Sequence, residues 1–164
     1  MSNTLSMRDL LLEELHLAVK TTKKLIHKVQ EKDWEYKPAE NMRSLLELTN
    51  HLVQIPFVDL AIMQEKSEDE VNQLQNHDLY KNEPGDLISV MEDGYDAFKD
   101  YMISLPEHQL LHKQTKPFYF GDDFNGSSQV KWLIETTTHA FHHRAQFFNY
   151  LKQLGYEVNM FDLY

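Results

Sequence analysis

The sequence predicts an all-α protein, a bundle of four long helices. Three observations carry the prediction. Apolar residues recur at alternating three- and four-residue spacing in separate stretches, one face of a helix each time. Only five glycines and five prolines occur in 164 residues. Most of them stand at the breaks between stretches, as at Pro38, Pro84-Gly85, Pro106, Gly126 and Gly155. The length suits one domain, residues 1–164, with a single sizeable core.

The first helix is expected from about Leu5 to Lys32, its stripe being Leu12, Leu15, Val19, Ile26 and Val29, interrupted at Thr22. His16 and His27 flank the stripe and are expected in solvent. Asp33 to Asn41 breaks the pattern, with Pro38 disfavouring a continuous helix. Trp34 and Tyr36 there either close the bundle end by packing or line a pocket.

Ser44-Leu45-Leu46-Glu47 reads as a capping box opening the second helix. Leu48, His51, Ile55, Val58 and Ile62 follow at helical spacing, so His51 sits within an apolar stripe and needs a partner. Pro56 removes a bond to the Leu52 carbonyl and is expected to kink this helix, widening a cavity one turn past His51. Residues Lys66 to Asp86 form a long polar link, His77 exposed within it. A link of that length allows a crossing between non-adjacent corners. The third helix spans Leu87 to Leu105 on Ile88, Met91, Tyr95, Phe98, Met102 and Leu105, and Pro106 ends it. His108 to Asn125 is irregular or partly extended; its run Pro117-Phe118-Tyr119-Phe120-Gly121 either covers a pocket mouth or fills a subunit contact. Ser127 or Ser128 caps the fourth helix, which runs to about Gln153 and stops at Gly155.

Composition excludes several functions. A formal net charge of −10, from 26 acidic and 16 basic residues, repels phosphate backbones. No apolar run approaches the ~20 residues that span a bilayer, and the N-terminus lacks a signal-peptide pattern, so a cytoplasmic protein is expected. Cysteine is absent, which removes disulfides, thiolate metal sites and thiol nucleophiles.

The chemistry concentrates on the fourth helix. His139 and His143 are four residues apart, one turn on one face, within reach of a single ion. At about 100° per residue, Glu135, Gln146 and Tyr150 share that face and Trp132 and Thr136 lie on the same side. His142 is turned away and is the weaker ligand. His51 can supply the third imidazole from the second helix. Three neutral rings leave an open coordination position, as catalytic rather than structural zinc sites do. The residue after His139 is Ala140, so the glutamate of an H-E-x-x-H protease is missing. Glu135, one turn earlier, is the candidate base or the acceptor for a ring N–H.

The capped segment from Ser44 to Leu52, the run His139-Ala140-Phe141-His142-His143-Arg144-Ala145-Gln146, and the ending from Leu154-Gly155-Tyr156 to Asp162 resemble the DinB/YfiT-like superfamily. The resemblance covers essentially the whole chain. Ala145 stands where glycine is usual, and Pro56 after the first histidine is atypical. The resemblance implies a four-helix bundle in down-up-up-down order with a long link between helices two and three. It maps a metal triad onto His51, His139 and His143 and implies a homodimer, an expectation the chain's nine Phe, eight Tyr and two Trp support. Its members with known activity include bacillithiol- or mycothiol-dependent S-transferases; others are described as metal-dependent hydrolases. The expected cofactor is one divalent ion, zinc or nickel, with a low-molecular-weight thiol as co-substrate. An uncompensated +2 ion deprotonates a bound thiol, or brings bound water to a pKa of roughly 7. The missing protease glutamate tilts the expectation toward thiol transfer over hydrolysis. A non-catalytic metal-binding bundle is the rival, favoured by a fourth protein ligand such as His142 or Glu135; a deep pocket opening on the metal favours the enzyme.

Overall fold

The computed structural model describes residues 2–164. Its long helices are α1 (Asn3–Ile26) and α2 (Leu45–Met63), then, after a six-residue helix α3 (Glu68–Gln73), α4 (Pro84–Ser104). A second short helix, α5 (Glu107–His112), and two two-residue strands, β1 (Gln114–Thr115) and β2 (Ser127–Ser128), lead into α6 (Gln129–Gln153).

Local chemistry sets these boundaries. Ser44 accepts from the Glu47 N–H and Glu47 accepts from the Ser44 N–H, so the expected capping box is present in both halves. Helix α2 continues through the buried Pro56 to Met63. At the far end of α6, Gly155 takes φ +85° and its N–H bonds the Lys152 carbonyl, while Tyr156 N–H reaches the Leu151 carbonyl. That pair of bonds is a Schellman stop, and the left-handed backbone is why glycine stands there.

Two boundaries differ from expectation, and a third falls where expected but without a cap bond. Helix α1 ends at Ile26 rather than Lys32, because Lys28 and Val29 bond back only three residues, to Leu25 and Ile26, and Gln30 is extended. Thr22 does not interrupt the buried stripe but is fully buried within it. Helix α4 starts at Pro84, three residues before Leu87, since proline suits the first helical turn. At α6 Ser128 occupies the cap position without a side-chain cap bond. The antiparallel ladder pairing Gln114 with Ser128 and Thr115 with Ser127 holds that entry instead.

The four long helices pack in the cyclic order α1, α6, α2, α4. The Tyr95 hydroxyl donates to the Leu12 carbonyl and Lys23 pairs with Glu92, so α1 and α4 run antiparallel. His51 meets His143 while Asp59 meets His139, so α2 and α6 are antiparallel too. The segment after α6 returns to the end of α1, Tyr156 bonding Gln30 and Lys28 pairing with Asp162, which makes α1 and α6 parallel. The order is therefore down-up-up-down, a four-helix bundle. The long link does not cross between non-adjacent corners. Helices α2 and α4 are parallel neighbours, and the chain needs 64–83 to travel back along the bundle. It is the α1–α2 and α4–α6 connections that span the diagonals. Leu15, Leu25, Ile26, Leu48, Leu52, Phe98 and Phe147 fill the core, all fully buried. Trp34 is buried at one end, and Tyr36 donates to Gln153, the packing role.

Candidate metal centre

Facing turns of α2 and α6 bring three imidazoles together. One nitrogen from each of His51, His139 and His143 lies within 4.8 Å of the other two. His51 Nε2 and His143 Nε2 are 3.0 Å apart. Two imidazole nitrogens sharing one tetrahedral zinc at its usual bond lengths stand about 3.3 Å apart, so this spacing fits a shared ion.

Two side chains fix the rings of α6 from behind. His143 Nδ1–H donates to Gln146 Oε1 at 2.8 Å, and His139 Nδ1–H donates to Asp59 Oδ2 at 3.3 Å. Each outer bond fixes the tautomer and leaves Nε2 with its lone pair for the centre. Gln146 Nε2 in turn donates to His142 Nε2 at 3.2 Å. Burial holds the His51 ring at about 3, with His143, Arg43 and His139 adding to the effect. Burial likewise lowers His143 to about 4, against an opposing bond from Gln146 and with His139, His142 and Arg43 contributing. Both rings are neutral at pH 7, the ligand form. The donor set therefore fits a divalent cation.

A cleft of about 540 Å³ opens on His51 and His139. Phe118, Tyr119, Phe120 and Phe124 from the loop line it, with Val58, Ile62 and Trp132 opposite. The aromatic loop thus contributes to the wall of this cleft. Trp132 is fixed by donation from its Nε1 to Thr115 Oγ1 at 2.9 Å.

The sequence expectations divide here. His142 is exposed and outside the three-imidazole group. Glu135 lines the cleft but is ion-paired with Lys131 four residues earlier. Tyr150 lies away from the cleft: its hydroxyl donates to the Arg43 carbonyl, beside Leu48 and Gln146 around a separate cavity of about 290 Å³. Antiparallel packing explains this, since two turns beyond His143 on α6 is the start of α2. Asp59 escaped the sequence reading. Its signal was its isolation, the one charged residue between Leu48 and Met63. Asn72 and Gln75, from α3 and the widened π turn Leu74–Asp78 after it, also line the cleft.

Four long helices around three convergent imidazoles define a helical-bundle protein whose facing helices present a donor set of the kind that holds a metal. The chain belongs to the DinB family, whose profile matches residues 1–164. A search of curated proteins gave no match. Solved structures share the fold. A protein of Exiguobacterium sibiricum assigned to the DinB family is 26% identical with a TM-score of 0.77, covering 100% of this chain and 99% of that one. A DinB-like protein of Bacillus cereus is 17% identical at TM-score 0.71, over 91% and 93% of the two chains. YfiT of Bacillus subtilis, described as a probable metal-dependent hydrolase with an unusual four-helix bundle topology, is 13% identical at TM-score 0.70, over 96% and 91%.

Proposed function

We propose that this chain is a divalent-metal-dependent enzyme that transfers a small thiol of the bacillithiol type to an electrophile, with His51, His139 and His143 as the ligands. One observation carries the choice of reaction. Both acidic side chains at the cleft are engaged, Asp59 with the His139 ring and Glu135 with Lys131. A nucleophile that loses its proton to the field of a cation needs no further base. A zinc or nickel ion held there supplies that field. Asp59 and Gln146 keep the ring nitrogens aimed inward, and the aromatic walls offer apolar surface to the electrophile.

Hydrolysis is the second reading, favoured by the description of YfiT and by the same lowering of the pKa of water. The proposal also takes the protein to be a cytoplasmic homodimer acting on small molecules, without nucleic-acid or membrane partners. Among the described residues no helix is long and apolar enough to cross a membrane. Exposed Phe161 and Tyr164 offer apolar surface for a second copy.

The test is a transfer assay with several low-molecular-weight thiols and a generic electrophile, run beside an ester and amide panel. Metal-loaded protein is compared with chelated protein and His139→Ala. Metal-dependent thiol transfer, lost in both controls, is the expected result. Metal-dependent turnover of the esters alone establishes the hydrolase. A silent pair of panels and a metal ligated by protein side chains only returns the bundle to a non-catalytic role.

A further inference from the structure

One buried group near the triad is unused by this reaction. Gln54 follows His51 by one turn of α2 and is only 2% exposed, yet its Nε2 has no hydrogen-bond partner among the described residues. Its neighbours Leu52, Val53, Ile55 and Pro56 are apolar and buried. A leucine would fill the place without leaving a donor unpaired, and folded proteins keep few such donors. Gln54 lines a niche of about 10 Å³ with His51, Asp59, Gln75 and His139. That is room for roughly one water-sized group. The niche adjoins the aromatic cleft, since His51, Val58, Asp59, Gln75 and His139 line both. Gln75, which also lines the niche, stands on the π turn, a backbone form that gathers at functional sites.

We infer that Gln54 donates a hydrogen bond to a carbonyl oxygen of the substrate, an apolar or aromatic carbonyl compound whose body occupies the cleft. The niche admits one oxygen and no ring, while the cleft offers aromatic faces for the remainder. The reaction rests on the proposed function; the binding does not. With a conjugated carbonyl as acceptor, the thiol sulfur bonds to the β-carbon and the displaced electron pair moves through to the oxygen. The thiol proton finishes on the α-carbon, no group leaves, and nothing is oxidised or reduced. Negative charge grows on the oxygen that faces Gln54, where a donor already in place and shielded from water is most effective.

Binding of acetophenone and of ethylbenzene to the purified metal-loaded protein is measured by ligand-observed NMR, in wild type and Gln54→Leu. The ratio of ketone to hydrocarbon affinity is expected to fall about tenfold in the variant. An unchanged ratio overturns the inference, whatever the turnover. Thermal melting checks the fold, and Gln54→Met, also without a donor, repeats the measurement if the leucine variant melts early. In the transfer assay, Gln54→Leu is expected to lower kcat on the order of a hundredfold with benzylideneacetone and far less with benzyl bromide, which has no oxygen to hold. A fall of equal size for both electrophiles also overturns it. Should the affinity ratio shift while neither electrophile is turned over, the carbonyl niche stands and the thiol-transfer reading fails.

Discussion

His139 and His143 are aimed by residues that do not belong to the triad, and that is where single substitutions should act most sharply. Asp59→Ala removes the acceptor that fixes the His139 ring. Loss of such an outer partner is expected to weaken metal binding roughly tenfold to a hundredfold, read by competition with a chromophoric chelator. Glu135→Gln, which breaks only a surface pair with Lys131, should leave that affinity nearly unchanged. Proton linkage offers a second test. His51 and His143 are lowered to about 3 and about 4, so the unfolded chain, near 6.5, takes up protons first as pH falls. Their contribution is fully present above pH 6.5 and is lost on the way down through about 4 and then 3. Thermal melts of metal-free protein should therefore show stability falling from pH 7 to 4, and falling less steeply in His51→Gln.

Helix ends and helix contacts answer to different chemistry. The box at Ser44 starts α2, which carries His51 and Asp59, so Ser44→Ala should cost about 1 kcal/mol. In a chain of this size that lowers Tm by roughly 2–4 °C in calorimetry. Ser128→Ala should change Tm by less, because Ser128 makes no cap bond. A contact between elements constrains Gly94 on α4. A Cβ there would stand 2.9 Å from the Phe57 ring and 3.3 Å from the Phe57 backbone nitrogen. Alanine gains about 1 kcal/mol of helix propensity, but forcing α2 and α4 apart costs typically 1–3 kcal/mol. Gly94→Ala should therefore lower Tm on balance, and a raised Tm would show that Phe57 yields freely.

On the scale of the whole molecule, the core runs unbroken from Leu12 to Val158 without help from the triad. Chelation should accordingly lower Tm while leaving helical circular dichroism at 25 °C intact, unlike the collapse of a zinc finger. Light scattering at micromolar concentration should return twice the 19.5 kDa chain mass; a monomer mass removes the homodimer from the proposal.

Periodicity and capping chemistry made much of this protein legible in advance. Stripes such as Ile88, Met91, Tyr95, Phe98 and Met102 are buried as their spacing requires, because one helix face must meet a core whatever its neighbours are. Ser44, Pro106 and Gly155 mark boundaries through bonds made within a few residues of themselves. His139 and His143 were legible as a pair because a helix fixes their separation, and His51 because a polar ring interrupts an apolar stripe. Tertiary structure alone decided the rest. The length of 64–83 is compatible with a diagonal crossing or with a return along the bundle, and only packing shows α4 beside α2. Asp59 and Gln54 take their meaning from partners on another helix or from a cavity; the first shows locally only as a lone charge in an apolar stretch, and the second not at all. The loop aromatics follow no period, so nothing short of the folded chain could set Phe118, Tyr119 and Phe120 along the cleft that opens on His51 and His139.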